Sequence, residues 1–349
     1  MAFEFVRPLL HRKTCASHGF LSAGSGKDNR EGEFILRSEH IAVVGAGLMG
    51  QGIAQVFAAK GHEVILFDQD AAVLNAAIAA ICTNLDLLCA HGLGLHEEIE
   101  RTLDRIKIAG SLKETVGDAR FVVEAVTENL PLKRALFQEM EALCSPITVL
   151  ATTTSGISIT EIAAQTKAKE RVVGTHFWPP PYLIPLVEVV GGQHTLNEVK
   201  EYTCNLLRSV GKHPVLVKRD VPGLVGNRLQ HALWREAISI VEHGIADPQT
   251  VDEVIKKGFG IRLSALGPLE EVDLFGLDRT FQIHNHILKF IERSTAPSPF
   301  LRHKLLSGEL GVKTNQGFYC WDKEAIGRCR DALAEHLIRW NRQQEPDKT

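Results

Sequence analysis

Residues 41–68 read IAVVGAGLMGQGIAQVFAAKGHEVILFD, and no other stretch constrains the fold as tightly. Residues 41–44 are a continuous apolar run, the pattern of a strand buried on both faces of a parallel sheet. Gly45, Gly47 and Gly50 follow at GxGxxG spacing and open a helix. In such a turn Gly45 permits the tight bend, Gly47 keeps Cβ away from a pyrophosphate, and Gly50 lets the helix pack closely on the strand. The phosphates would sit on unpaired N–H groups at the helix N-terminus. The expected cofactor cradle is therefore Gly45, Ala46, Gly47, Leu48, Met49 and Gly50. Residues 63–67 form the next strand and end on Asp68, about 20 residues past the glycines, where a carboxylate can accept a hydrogen bond from a ribose 2′-hydroxyl. Gln69 follows, where an Arg would suit a 2′-phosphate, so NAD is expected rather than NADP. FAD shares the fingerprint, and only the second half of the chain can separate the two.

At 349 residues the chain exceeds a typical single domain, and two are expected. A net charge of −3 with both signs mixed excludes a basic stripe for nucleic acid and a polybasic membrane patch. The uncharged run 41–59 is long enough to imitate a membrane span, but its glycines and glutamines fall in the pattern of a nucleotide turn. Seven cysteines show no CxxC and no metal-ligand spacing with His, which predicts no metal and reduced thiols in a cytosol-like compartment. Residues 1–39 read as a flexible leader. Arg7, Arg12, Lys13, Ser17 and Ser22 give it a faint mitochondrial transit character, opposed by Glu4, Asp28, Glu31 and Glu33. The expected location is cytoplasmic, with the mitochondrial matrix as the alternative.

Two helical segments within 71–106, broken by Gly92 and Gly94, predict an inserted helical hairpin. Strands are expected at 121–126, 148–151, 172–175, 186–190 and 214–217, the third of these delivering His176 into a proline-rich loop. Past Pro222 the alternation stops, and helices are expected at 223–243, 248–257, 268–293, 300–307 and 323–343. The predicted architecture is an α/β Rossmann domain over 40–220, a mostly parallel doubly wound sheet, followed by an all-α domain over 221–349.

Glu188 lies inside the apolar strand LVEVV, where an unpaired buried charge is costly. His176, twelve residues upstream across a loop, can supply a partner, and an imidazole–carboxylate pair would fix the tautomer and raise the basicity a general base needs. A core histidine and a solvent-facing glutamate remain open. Ser155, in the loop after a buried strand, lies at the carboxyl edge where open α/β folds bind ligands, although a turn or cap serine explains it equally simply. Asn227 falls in the first turn of the first helix of the second domain and reads either as a cleft residue or as a cap amide.

GAGLMGQGIA, VVEAVTENLPLK, TTSGISITEIA, HFWPPPYLIPLVEVV, DVPGLVGNRL, GPLEEVDLFGLD and GVKTNQGFYCW occur in the order and spacing of the L-3-hydroxyacyl-CoA dehydrogenase family, and the chain resembles it over about 40–321. The resemblance implies that His176 is the catalytic base, that Glu188 orients it, and that Ser155 and Asn227 bind the reacting oxygen. It places Glu128, Lys133 and Lys313 near bound NAD and implies a homodimer formed through the helical domain. The implied reaction oxidises a secondary alcohol, 3-hydroxyacyl to 3-oxoacyl, with hydride passing to NAD. Two departures stand out. Pro179 replaces the usual Asn of the HFxNP block, and no Lys or Arg occurs between Lys60 and Arg101, where relatives that use CoA carry a lysine-rich hairpin. Three readings follow: an acyl-CoA dehydrogenase, the same chemistry on a small hydroxy acid or hydroxylated pyridine carboxylate, and a crystallin-like NAD-binding homologue of weak activity.

Overall fold

The computed structural model describes residues 38–344, so nearly all of the expected leader lies outside the described residues. One eight-stranded sheet organises the first part of the chain, with strand order β3-β2-β1-β4-β5-β6-β7-β8. In sequence the elements run β1 (His40–Val44), α1 (Leu48–Ala59), β2 (Glu63–Phe67), α2 (Ala71–Ala90), α3 (Glu97–Asp104), β3 (Ile106–Ile108), α4 (Leu112–Val116), β4 (Phe121–Glu124), α5 (Leu130–Leu143), β5 (Val149–Thr152), α6 (Ile159–Ile162), β6 (Val172–Phe177), β7 (Leu186–Gly191), α7 (Asn197–Ser209) and β8 (His213–Val217). Strands β3 to β6 are parallel, β7 runs antiparallel to β6, and β8 follows the direction of β7. The order reverses between β1 and β4, so a crevice opens at their carboxyl ends, as in doubly wound folds that bind dinucleotides.

The sheet is covered on both faces, which explains the unbroken apolar runs of its central strands. Alternate residues of β1 point to opposite sides: Ile41 and Val43 join the cluster under α1, α2 and α7, whereas Ala42 and Val44 join the one under α4, α5 and α6. Helix α2 is long and apolar enough to cross a membrane by length and composition. Its buried residues Leu74, Ala77, Ile81 and Leu85 follow helical spacing and join the first of these clusters with α1, and Asn84 donates to Gln55 of α1 at 3.1 Å.

The helical part comprises α8 (Gly226–Glu242), α9 (Pro248–Lys257), α10 (Pro268–Phe275), α11 (Leu277–Ile287), α12 (Pro299–Leu306) and α13 (Lys323–Gln344). Asp247 caps α9 by accepting the Thr250 N–H at 2.7 Å, with Pro248 in the first turn. The segment expected as one helix over 268–293 is two, because Gly276 has φ +93°, which a helix interior does not tolerate. Helix α13 returns to the sheet-bearing part, where Ile338 is buried and the Asn341 amide donates to the Leu183 carbonyl at 2.8 Å.

Two further expectations need correction. Strand β3, IKI, was not anticipated, since three residues directly after a helix carry too little alternation to declare an edge strand. His176 lies within β6 and not in the loop that follows, because β6 runs on to Phe177 to pair with β7.

Candidate active site

The glycine turn is shaped for a dinucleotide. Gly45 has φ +101° and donates to the Phe67 carbonyl at 2.8 Å, tying the turn to the end of β2. A Cβ on Gly50 would lie 1.7 Å from the Gly45 oxygen, so only glycine lets α1 start this close to β1. A Cβ on Gly47 would meet nothing within 4 Å, which leaves open space above the N-terminus of α1 for a pyrophosphate. Asp68 accepts the Ala46 N–H at 2.8 Å on one oxygen and the Asp70 N–H at 3.1 Å on the other. Its carboxylate is thereby fixed beside the turn, with lone pairs left for a ribose hydroxyl.

The buried charge flagged by LVEVV is paired. In the antiparallel register of β6 and β7, His176 stands directly opposite Glu188. The histidine Nδ1 lies 2.8 Å from Glu188 Oε2, and both residues are buried. Glu188 Oε1 accepts the backbone N–H groups of Val225 at 2.9 Å and Gly226 at 3.0 Å. Burial alone would raise the Glu188 pKa; the bonds from His176, Gly226 and Val225 outweigh it and hold the carboxyl below its ordinary range. An ionised Glu188 makes Nδ1 the donor and leaves the lone pair on Nε2. Trp178 packs its ring 5.1 Å from the imidazole, and a Cβ on Gly226 would sit 2.3 Å from that indole.

Ser155 and Asn227 meet through backbone and side chain: the Asn227 amide donates to the Ser155 carbonyl at 3.0 Å. Together with Glu128, Gly156, Pro222 and Gly223 they line a cavity of about 450 Å³ that also contains Arg228 and His231. Glu128 collects the Thr154 hydroxyl at 2.6 Å and the N–H groups of Ser155 at 3.0 Å and Gly156 at 3.2 Å, so it shapes the loop carrying Ser155. Burial pushes the Glu128 pKa up, and these donors with the Lys133 charge bring it below the ordinary value.

Lys133 is almost wholly buried, bonded to both oxygens of Glu124 at 2.7 and 2.9 Å and 3.5 Å from Glu128. It braces the two carboxylates from below. Lys313 lies in the exposed turn bridged by Gly311 and Gln316, and among the described residues no hydrogen bond or ion pair ties it to the cofactor cradle.

Three supporting residues went unnoticed in the sequence. Glu124 ends β4 fully buried and also accepts the Thr152 hydroxyl at 2.6 Å. Asp220 accepts from the Ser158 and Thr160 hydroxyls at 2.6 and 2.8 Å and from the Ile159 and Thr160 N–H groups, pinning α6 to the junction between the two parts. Trp178 packs against the His176 ring. The rule that flagged Glu188 would have found Glu124 in FVVEAV; nothing local announces Asp220.

The family described as 3-hydroxyacyl-CoA dehydrogenase, NAD binding domain, matches residues 40–221, and its C-terminal domain matches 223–321. The chain belongs to the 3-hydroxyacyl-CoA dehydrogenase family. It is an NAD-dependent oxidoreductase of that family, and the cradle around Gly47 and Asp68 fits the cofactor. Among family relatives, 3-hydroxyadipyl-CoA dehydrogenase of Escherichia coli (strain K12) is 38% identical over 84% of this chain, which spans 61% of that relative's length. The 5-formyl-3-hydroxy-2-methylpyridine 4-carboxylate 5-dehydrogenase of Mesorhizobium japonicum is 31% identical over 86% of this chain and 96% of its own. A solved structure of an enzyme of that name, an NAD⁺-dependent dismutase, covers 88% of this chain and 98% of its own at a TM-score of 0.81 and 31% identity. The 3-hydroxybutyryl-CoA dehydrogenase structure from Escherichia coli K12 has higher identity, 38%, covers 82% of this chain and 60% of its own, and has a lower TM-score of 0.69.

Proposed function

We propose that this member of the 3-hydroxyacyl-CoA dehydrogenase family oxidises the alcohol carbon of a small hydroxylated carboxylate. The observation that carries the chemistry is the buried His176–Glu188 pair, whose second carboxylate oxygen is fixed by two backbone N–H groups. His176 Nε2 takes the hydroxyl proton, and Glu188 holds the ring and stabilises the imidazolium as it forms. Ser155 Oγ and the Asn227 amide position the reacting oxygen, which keeps the alcohol aligned for loss of its carbon-bound hydrogen. Bound NAD supplies the hydride acceptor at nicotinamide C4. Trp178, with its ring 5.1 Å from the imidazole, packs against the base and limits its movement.

The choice of a small acid over a CoA thioester rests on the hairpin. Its first helix α2 carries no Lys or Arg, and in α3 Arg101 is paired with Glu98 at 2.7 Å beside Glu97 and Glu100. CoA phosphates would meet an acidic neighbourhood, whereas phosphate recognition relies on charge-assisted bonds from Arg or Lys. Likeness in shape to the pyridine-carboxylate dehydrogenase supports the same choice. The thioester reading is favoured by the family itself and by relatives such as the Escherichia coli enzyme. NADH formation measured across 3-hydroxyacyl-CoAs, small hydroxy acids and hydroxymethylpyridine carboxylates decides between them. Turnover confined to the CoA esters refutes the small-acid assignment, and turnover of none refutes the enzymatic reading.

The same proposal includes a homodimer joined through the helical part, which exposes Leu269, Leu274, Phe281, Phe290 and Leu306. The compartment proposed is the cytosol, from the unpaired cysteine pattern.

A further inference from the structure

The cavity beside Ser155 and Asn227 contains three ionisable side chains, and they are not equally free. Glu128 is spent on the Thr154 hydroxyl, two backbone N–H groups and the buried Lys133. Arg228 and His231 are both exposed, and among the described residues neither has an acidic partner. They are three residues apart on α8, on adjoining turns of one face, and His231 is four residues beyond Asn227, which puts their Cβ atoms about 5–6 Å apart.

The Arg228 stem is also held. Gly223, at φ +77°, leaves room for it: a Cβ there would lie 3.3 Å from Arg228 Cγ, and the Arg228 N–H donates to the Gly223 carbonyl at 3.2 Å. The chain thus enters α8 through a glycine that lets a guanidinium stem lie across the mouth of the cleft. His231 in turn is braced by Trp234, ring to ring at 4.9 Å in an edge arrangement. Two basic groups without partners, each backed by a packing contact, beside the residues that hold the reacting oxygen, form a receptor for one anionic group.

We infer that Arg228 and His231 form the subsite that binds the substrate's carboxylate, about one helical turn from the carbon being oxidised. Arg228 provides the planar two-pronged donor that matches a carboxylate, and His231 a third N–H. The inference builds on the proposed function for the place of the reacting oxygen, and it specifies what that reading leaves open: which end of the substrate the enzyme recognises. A substrate lacking the acid would leave the guanidinium unpaired and bind weakly.

The test is calorimetric titration of the NAD-loaded, full-length protein with pyridine-4-carboxylate, a probe that cannot react, and with its uncharged amide. The carboxylate should bind about 10- to 100-fold more tightly than the amide, the worth of hydrogen bonds to a charged group. Arg228→Gln should abolish that preference, Arg228→Lys should restore part of it, and His231→Asn should lower it by a smaller factor. Thermal melts of each variant separate misfolding from lost recognition. Equal affinity for acid and amide, failure of the carboxylate to bind wild-type protein, or an Arg228→Gln variant that folds and keeps the preference would each overturn the subsite. Because the probe is not turned over, an Arg228-dependent preference would stand even if the turnover panel found no oxidised substrate.

Discussion

The sheet-bearing part and the helical part differ in how completely each buries its own residues. In the first, central strands such as β4 and β5 are buried at every position, and their core is closed by helices on both faces. In the second, α9, α10, α11 and α12 contain no buried residue, and Phe281 and Phe290 are 67% and 75% exposed. The difference shows one part whose fold is complete within the chain and another whose apolar surface exceeds what its own helices cover. The buried His176–Glu188 pair belongs to the first part, where it is held rigidly, and the second part contributes Asn227, which bonds to the Ser155 carbonyl, while leaving its own apolar faces uncovered.

The comparison is tested most strongly at the base. If the sheet part is a finished scaffold, His176→Ala and Glu188→Gln should lower kcat by about 10²–10⁴-fold while each variant still folds and melts cooperatively. The double variant should lose less than the product of the two factors, because both residues serve one role. Full turnover by either single variant breaks the assignment.

A smaller effect is expected in the cradle. Asp68→Ala should narrow the preference for NAD over NADP, by about tenfold for the loss of one or two hydrogen bonds from a carboxylate. Comparable affinity of the wild-type protein for both cofactors would remove Asp68 from the site.

On the helical side, Phe281→Asp with Phe290→Asp should halve the molar mass seen by light scattering and leave NAD affinity unchanged. An unaltered mass would show that those faces do not join two copies.

A test on stability and not activity concerns Lys212, which donates to the carbonyls of Pro181 and Ile184. Burial, with a contribution from Lys60, brings its pKa down from 10.5 to about 8. Between these values the unfolded chain holds a proton that the folded one has released, so folding stability gains a rising component from pH 8 to 10.5. Lys212→Met should remove that component, measured as the difference in denaturant midpoints between the two proteins across this window. Parallel curves would show that Lys212 titrates normally.

Most of what is local was legible in the sequence. The turn from Gly45 to Gly50 and Asp68 fall within 24 residues and are joined by the Ala46 N–H to the Asp68 carboxylate, so spacing made them legible together. Glu188 was legible as an anomaly, since its buried charge required a partner, and the antiparallel register supplies His176. The state of Lys133 was not legible: the resemblance implied a place near NAD, and in the structure it is a buried brace under Glu124 and Glu128. Asp220 was missed because its partners lie about 60 residues upstream and no periodicity links them. The extent of exposed surface on α9 to α12 escaped as well, since a helical pattern reveals that a face is apolar and not whether anything within the chain covers it.

Glu188 spends one oxygen on the His176 imidazole and the other on the first amides of the helical part. A single carboxylate therefore registers whether the two parts are seated together. If α8 lifts away, two of its three bonds go, each worth about 1.5–3 kcal/mol to a charged acceptor, while the bond to His176 across β6 and β7 remains. A substitution at Glu188 therefore disturbs the His176 ring and the entry to α8 together.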